Sequence, residues 1–481
     1  MIGITDALIV ATFLAVTLAI GLRQKSRSDD GANYLLGGRA LTLPAFVATT
    51  VSTWYGGILG VGEYAWNHGI SNWLVFGVPY YVGALLFAML LSRRARSAES
   101  LTLPHMFERT YGPAAGRCAA VLIFLTTVPG AYMLIMGSLV SLSFGIPQAA
   151  GILLTAVFVV IYLWRGGFGA VVRTDGIQIV LMFGSFMILS AALLIGYGAA
   201  PLETLPPSHL EPTGGQPLGS ILIWYVIALS TLAEPNFFQR AFAAKTPEIA
   251  RKGLLISIAF WILFDMMTTL CGLYARALMP DLDMPLHAFP ALAAKVLPAG
   301  AVGIFFAGLF ATVLSTLDSY LFTTATTLGR DLWPHKSRLS ATAKTRIGLI
   351  AGAALASAIA LAAGSVVKIW KIFGSVSAAS LLIPILTSYY PKFRMSPRGA
   401  VLLMAASSIT TIAWFAHATR HSGAYWLGIE PLFAGAAVSI CIYAADRIIH
   451  LSQRHPNASQ SEMDRLDNAQ SASMPPSEPH K

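Results

Sequence analysis

Long stretches without a single charged residue recur along the whole chain, and they restrict its fold more than any other feature. Residues 64–92, 118–164 and 176–202, for example, contain no Asp, Glu, Lys or Arg. Of the 481 residues, 56% are hydrophobic and 11% are charged, whereas soluble globular proteins carry about 25% charged residues. Because about 20 consecutive apolar residues cross a bilayer, the chain is predicted to be an all-α, polytopic membrane protein.

We predict about thirteen transmembrane helices, numbered α1 to α13 in chain order. The stretch 118–164 is long enough for two of them, and Gly145-Ile146-Pro147 is the natural break. The predicted ranges are 5–22, 41–67, 71–92, 114–143, 148–164, 171–198, 217–242, 252–278, 299–328, 346–364, 366–390, 399–417 and 424–448.

The distribution of basic residues predicts the orientation in the membrane. Most of the 32 Lys and Arg residues fall in alternate loops, for example at Arg93, Arg173, Arg240 and Arg330, or in the C-terminal tail, whereas the loop 199–216 has none. Basic residues are enriched in cytoplasmic loops, so a multi-pass protein of the plasma (inner) membrane is expected, with its N-terminus outside and its C-terminus cytoplasmic. The net charge of +10 then reflects these loops, and no nucleic-acid partner is expected.

Two of the predicted helices contain helix-breaking residues at corresponding places. In α2, Thr49-Thr50-Val51-Ser52-Thr53-Trp54-Tyr55-Gly56-Gly57 puts poor helix formers in the middle of the span. In α7, Pro235 removes a backbone donor from Ser230-Thr231-Leu232-Ala233-Glu234-Pro235-Asn236. A lone Gly or Pro is more often a simple kink. Two broken helices, each opening a group of five, are typical of a transporter built from inverted repeats, with its binding site at the breaks.

The domain organisation follows from this grouping. Residues 1–40 hold α1 and the first cytoplasmic loop, 41–198 the first inverted repeat (α2–α6) and 199–390 the second (α7–α11). Residues 391–450 hold α12 and α13. The Ser-, Pro- and Asn-rich segment 451–481 is predicted to be a disordered cytoplasmic tail.

Helix α9 carries hydroxyl groups on one face. Thr312, Ser315 and Thr316 are spaced i, i+3 and i+4, so their side chains are neighbours. Hard cations such as Na+ prefer oxygen ligands. Taken alone, such hydroxyls more often bond to the carbonyl one turn earlier. Together with a broken α2 and intramembrane carboxylates, they favour a cation site.

Carboxylates at membrane depth are functional-site candidates by default. Five are predicted there: Glu63, Asp175, Glu234, Asp265 and Asp318. A simple ion pair with Arg173 near the membrane surface is a competing interpretation for Asp175. The roles of Glu63 and Asp265 stay open.

Four motifs resemble the sodium:solute symporter family, which includes proline, sugar, pantothenate and iodide cotransporters. They are Tyr34-Leu35-Leu36-Gly37-Gly38-Arg39, Gly166-Gly167-Phe168-Gly169-Ala170-Val171 with Thr174-Asp175-Gly176-Ile177-Gln178, Gln239-Arg240 with Ala243-Ala244-Lys245, and Leu314-Ser315-Thr316-Leu317-Asp318-Ser319. Each motif is weak alone, but together they are specific, and the resemblance extends over roughly residues 5–450.

The resemblance implies a LeuT-like fold of five helices plus five inverted helices, with one extra helix before them and two after. It also implies a sodium site formed by the carbonyls of Ser52, Tyr55 and Thr312 and the hydroxyls of Ser315 and Thr316. Some members bind a second sodium, for which Asp175, Asp318 and Ser319 would be the ligands here.

The activity that the resemblance implies is sodium-coupled symport of a small organic solute by alternating access, with Na+ as the coupling ion and no enzymatic reaction. The candidate substrate contacts are Trp54, Tyr55, Gly56, Glu234 and Asn236. Many relatives carry smaller residues than Trp54-Tyr55, and Gly56 replaces a frequent serine, so amino acid, carboxylate and sugar substrates all stay open. The other expected partner is membrane lipid, and the functional unit is expected to be a monomer.

Two other functions are weighed against symport. A sodium-independent channel or uniporter would call for rings of polar residues along a pore, and none is visible in the sequence. A transporter-like membrane sensor would need a signalling domain, for which the tail is too short. The sodium stoichiometry, and whether protons can replace sodium, stay open.

Overall fold

A computed structural model of the protein describes residues 2–23, 31–333, 337–362, 366–421 and 423–449. Within these ranges the regular structure is helical, apart from an isolated backbone bridge between Leu41 and Ala244. The predicted disordered tail 451–481 lies outside the described residues.

Twelve helical segments of the described chain are long and apolar enough to cross a membrane. With the numbering used above, they are α1 Ile4–Arg23, α3 Trp73–Leu90, α4 Pro113–Phe144, α5 Gln148–Gly166, α6 Phe168–Tyr197, α7 Leu218–Ala243, α8 Pro247–Leu278, α9 Ala301–Leu332, α10 Ala341–Ala362, α11 Lys368–Tyr389, α12 Pro397–Arg420 and α13 Pro431–Ile449. The remaining predicted span, α2, consists of two short helices, α2a Leu43–Ser52 and α2b Ile58–His68.

The interruption of α2 covers Thr53 to Gly57, as the sequence predicts. Helix α2a starts with a proline in its first turn, where the missing donor costs nothing. After Ser52 the chain makes two turns, and the Ile58 N–H donates to the carbonyl of Tyr55 at 3.0 Å at the start of α2b. The interruption leaves several carbonyls outside a regular helix, and such groups need another partner at membrane depth.

The interruption of α7 lies at Glu234. Before it come α7a Leu218–Ile227 and the short 3₁₀ helix Ala228–Ala233, and after it comes α7b Pro235–Ala243. Glu234 has an extended backbone, and its carboxylate accepts a hydrogen bond from the Asn236 N–H at 3.1 Å. Pro235 occupies the first helical position. This combination of an acceptor side chain followed by proline is a favourable start for a helix, so Glu234 both breaks α7 and caps its second half.

Helix α9 forms the centre of the bundle. In its most apolar 18-residue window, 89% of the residues are buried, against 17% to 61% in the other spans. A close approach to α6 is possible because Gly308 lies against Ser185, where a Cβ would come within 2.0 Å of the hydroxyl. The start of α9 is capped from α1, since the Asp6 carboxylate accepts from the N–H groups of Gly300 and Gly303 at 2.7 and 2.8 Å.

Candidate cation site and adjoining cavity

Two hydroxyl groups of α9 reach the backbone of the interrupted helix α2. The Ser315 hydroxyl donates to the carbonyl of Ser52 at 2.6 Å, and the Thr316 hydroxyl donates to the carbonyl of Thr53 at 2.8 Å. The same two hydroxyl oxygens lie 3.1 and 3.5 Å from the carbonyl oxygen of Thr312. The structure therefore brings four of the predicted ligand residues together and adds Thr53 to them.

This cluster contains more acceptor oxygens than protons. Three carbonyl and two hydroxyl oxygens meet in it. The Thr312 carbonyl accepts a backbone N–H within α9, and the two hydroxyl protons are the donors that reach the carbonyls of Ser52 and Thr53. Ser315 is fully buried and Thr316 is 1% exposed, so bulk water does not complete the hydrogen bonding. A hard monovalent cation such as Na+ suits this arrangement, because neutral oxygens can replace its hydration shell.

The Tyr55 carbonyl, the fifth predicted ligand, lies further along the break. It accepts the hydrogen bond from Ile58, and no hydrogen bond among the described residues joins it to the hydroxyls of α9. The Tyr55 hydroxyl donates to the Trp261 carbonyl at 3.0 Å. Because a carbonyl oxygen has two lone pairs, the Tyr55 oxygen keeps the capacity to bind an ion.

A second polar cluster, formed by the residues predicted for a second sodium, lies on the next part of α9. The Tyr162 hydroxyl donates to Asp318 at 2.5 Å, and the Ser319 hydroxyl lies 3.3 Å from the other oxygen of this carboxylate. Asp175 accepts a hydrogen bond from Thr49 of α2a. Both aspartates are completely buried. The structure thus places two carboxylates of α6 and α9 in one buried cluster.

Arg240 is the positive charge of this cluster, and its position differs from the loop position that the sequence predicts. Its guanidinium donates to the hydroxyls of Thr53 at 2.6 Å and Ser319 at 2.8 Å, and it lies 3.8 Å from Asp175. The sequence predicts a cytoplasmic-loop position for Arg240 and offers Arg173 as the competing partner of Asp175. Arg240 is instead 1% exposed on α7b, because its five donors find oxygen acceptors there.

A cavity of about 190 Å³ adjoins the candidate cation site. Three of the predicted substrate contacts line it: Trp54, Tyr55 and Glu234. Gly56 lies beside it instead, packed against Thr316. Asn236 is buried away from it, since its amide donates to Glu234 at 3.0 Å and its carbonyl accepts from Thr323 at 2.8 Å. Asn236 therefore orients Glu234 rather than facing the cavity.

Several residues that line the cavity were not found from the sequence. Tyr320 donates to the free oxygen of Glu234 at 2.9 Å, and Tyr132 and Trp370 form an aromatic wall beside it. Asp265, whose role the sequence left open, also lines the cavity and accepts a hydrogen bond from Tyr81. Tyr320 follows the hydroxyl motif directly and could have been found from that position. Nothing in the sequence around Trp370 distinguishes it from an ordinary membrane tryptophan.

An interrupted helix α2 that meets α9 at an oxygen-lined candidate cation site, a second interrupted helix α7 and an adjoining cavity define a LeuT-like secondary transporter. The family model described as the sodium:solute symporter family matches residues 34–407, and the chain belongs to this family. It is therefore a multi-pass membrane protein that couples the transport of a solute to sodium, and it is not an enzyme.

Individual relatives agree with this assignment. The osmoregulated proline transporter OpuE of Bacillus subtilis is 25% identical, over 89% of this chain and 93% of the OpuE chain. A sodium/pantothenate symporter of Haemophilus influenzae is 28% identical, over 69% of this chain and 72% of the symporter. The solved outward-open structure of a Na+-coupled sialic acid symporter superposes with a TM-score of 0.78 at 16% identity, covering 93% of this chain and 97% of the other. This likeness shows the LeuT-like fold.

Proposed function

We propose that the coupling sodium ion binds between α2 and α9, at the carbonyls of Ser52, Tyr55 and Thr312 and the hydroxyls of Ser315 and Thr316. The observation that supports this site is the excess of buried acceptor oxygens over protons where the two hydroxyls meet the broken helix. The solute is proposed to bind in the adjoining cavity, against Trp54, Tyr55 and Glu234.

The proximity of the two sites gives a physical basis for coupling. Thr53 to Tyr55 belong to the cavity wall and adjoin the cation ligands on the same interrupted segment. An ion that holds α2 against α9 fixes this wall, and it shifts the conformational equilibrium only by its different affinity for the two states. Moving one charge inward is worth about 2.3 kcal/mol at 100 mV, and a tenfold sodium gradient adds about 1.4 kcal/mol. One ion then supports roughly 500-fold accumulation of a neutral solute.

The test is the sodium dependence of transport. Ser315→Ala and Thr316→Ala should each raise the sodium concentration for half-maximal uptake at least tenfold, because each removes an ion ligand. Ser357→Ala in α10 is the matched control, since the Ser357 hydroxyl is also buried and its one hydrogen bond among the described residues goes to the preceding turn, at 2.8 Å. Sodium dependence that stays unchanged in both α9 variants would refute the site.

A second cation is proposed to bind at Asp175, Asp318 and Ser319. Two buried carboxylates share one guanidinium, so the cluster keeps one formal negative charge when both are ionised. In addition, Asp175 Oδ1 is buried and has no hydrogen-bond partner among the described residues. Such an atom is costly unless a cation binds it. Asp318→Asn should therefore lower the Hill coefficient for sodium toward one, and a parent coefficient already near one would contradict the second site.

The proposed orientation keeps the N-terminus outside and the C-terminus in the cytoplasm, in the plasma (inner) membrane, with a monomer as the functional unit. Its support is the bias of basic residues toward alternate loops, which remains when Arg240 is removed from the count. Cysteines introduced at Glu211 and at Arg338 should react with a membrane-impermeant reagent from the outside and from the inside, respectively. The reverse pattern would overturn the orientation.

A further inference from the structure

The side chains that line the cavity have a strongly one-sided charge. Glu234 and Asp265 both contribute a carboxyl group, and none of the described lining residues is Lys, Arg or His. Nine of the lining residues are aromatic, including Trp54, Tyr132 and Trp370. Two carboxyl groups and many ring faces attract positive charge, whereas they repel an anion.

The charge balance of the whole transport core has the same sign. The core contains four buried or cavity-lining carboxyl groups, those of Asp175, Glu234, Asp265 and Asp318, whereas Arg240 is the one buried Lys or Arg among the described residues. The sodium site between α2 and α9 consists of neutral oxygens and adds no negative charge of its own. With all four groups ionised the core has a formal charge of −3, and two sodium ions still leave it negative. Charge at this depth needs a counter-ion, which the solute itself can supply.

The hydrogen bonding of Glu234 indicates which kind of cation fits. One of its oxygens accepts from Asn236, and the other accepts from Tyr320 at 2.9 Å. Both oxygens of Glu234 therefore already accept hydrogen bonds within the protein, and a solute interacts mainly with the negative charge of this carboxylate. Alkylated ammonium groups have few or no N–H donors to satisfy and bind through charge and ring faces.

The aromatic residues beside Glu234 form the matching wall. The ring of Tyr132 lies 5.1 Å from that of Tyr320 and 6.4 Å from that of Trp370, between ring centroids. On the α2 side, Trp54 meets Tyr80 edge to face at 5.6 Å. These rings line the cavity from α2, α3, α4, α9 and α11, so a compact cation inside it lies among several aromatic side chains.

Trp370 also limits the recognition of a carboxylate. The N-terminal ends of α2b and α7b both lie at the cavity, and such positive ends of backbone dipoles bind anions. The end of α7b is already capped by the Glu234 carboxylate, which leaves that of α2b. The indole of Trp370 lies directly against Gly57 and also against Gly60 at this end, so that a Cβ at Gly57 would come within 1.7 Å of the ring. A solute carboxylate approaching this end of the helix meets an indole ring.

We propose that the transported solute is a small alkylated ammonium ion without a carboxylate, held by Glu234 and Asp265 within the aromatic wall. This inference rests on the proposed function and names the class of solute for the same cavity.

The experiment measures thermal unfolding of the purified full-length protein in sodium, with four probes at matched ionic strength. Choline and tetramethylammonium carry the ammonium group, 3,3-dimethylbutanol is the neutral isostere of choline, and glycine betaine adds a carboxylate. We expect choline and tetramethylammonium to stabilise the protein, and 3,3-dimethylbutanol and glycine betaine to bind at least tenfold more weakly. Stabilisation rises with ligand concentration relative to its Kd, so titration of each probe compares the affinities. Sodium-driven uptake of labelled choline into liposomes should follow the same order.

Glu234→Gln and Asp265→Asn should each weaken choline binding at least tenfold. Glu63→Gln is the matched control, since Glu63 is a partly exposed carboxylate of α2b that does not line the cavity. Comparison of the four probes on the parent protein needs no variant and keeps the test valid if a variant fails to fold.

Three results would overturn the inference. Equal binding of 3,3-dimethylbutanol and choline would show that charge is not recognised, and betaine binding as tight as that of choline would show that a carboxylate is accepted. If no ammonium probe binds while sodium still stabilises the parent but not Ser315→Ala, the solute class is wrong and the proposed function stands. If sodium has no effect either, the proposed function itself fails.

Discussion

Gly56 offers the most direct way to perturb the contact between α2 and α9 without removing a ligand. A methyl group added at Gly56 would lie 2.5 Å from Cβ of Thr316 and 2.7 Å from Cδ1 of Tyr132. Cβ of Thr316 is fixed to the backbone of α9 and cannot rotate away. The contact can therefore be relieved only if the two helices separate, which lengthens the 2.8 Å hydrogen bond between Thr316 and Thr53.

The size of the effect follows from the cost of overpacking. Extra methyl groups in a well-packed interior cost about 1–3 kcal/mol. If this energy falls on the form that binds sodium, the affinity for the ion decreases roughly 5- to 150-fold. Gly56→Ala should therefore raise the half-saturating sodium concentration by a factor in this range, although all proposed ligands remain.

The assay is sodium-dependent thermal stabilisation of the purified protein, with sodium-dependent uptake as a second readout. Gly184→Ala is the matched control, because, beyond the adjoining backbone of α6, no atom of the described residues lies within 4 Å of a Cβ added at this glycine. The reasoning is refuted if Gly56→Ala and Gly184→Ala show the same half-saturating sodium concentration. A loss of folding in Gly56→Ala alone would be detected as a lower unfolding temperature without sodium.

Three further predictions concern other parts of the molecule. Arg240→Gln should destabilise the fold by about 3–5 kcal/mol, because it leaves buried Asp175 unpaired, and Asp175→Asn in the same chain should recover part of the loss in denaturant unfolding. Asp6→Ala should cost about 0.5–2 kcal/mol through loss of the cap on α9, whereas Asp6→Asn should cost less in the same assay. Burial, followed by the charge of Arg330, lowers the pKa of His105 to about 4, and its Nδ1 accepts from the Leu101 N–H. Because the pKa of His105 in the unfolded chain is about 6.5, the stability that neutral His105 contributes should be lost as pH falls from about 6.5 to about 4. The unfolding temperature of His105→Gln should not show this loss over the same pH range.

The helices and their interruptions could be predicted because their signals are local. Uncharged runs define the spans, Pro235 breaks α7, and the glycines and hydroxyls of α2 weaken its middle. The face formed by Thr312, Ser315 and Thr316 depends only on helical spacing. These features therefore lie where the sequence predicts them.

The partners of each side chain could not be predicted, because they depend on how distant helices pack. Arg240 looks like a loop residue in the sequence, and only the packing of α7b against α2a and α9 gives it acceptors. Trp370 reaches the cavity because Gly57, more than 300 positions earlier, leaves room for its ring. The sequence predicts a substrate contact at Asn236, but its amide is used within the protein.

The guanidinium of Arg240 is a counter-charge that is covalently attached to the carrier. It balances part of the negative field of Asp175 and Asp318 without ever leaving the protein, unlike an ion that dissociates on each side. Electrical recordings of turnover should therefore count the mobile ions and the solute plus any displacement of this tethered charge within the membrane field. A transient current in sodium without solute would report that displacement together with ion entry.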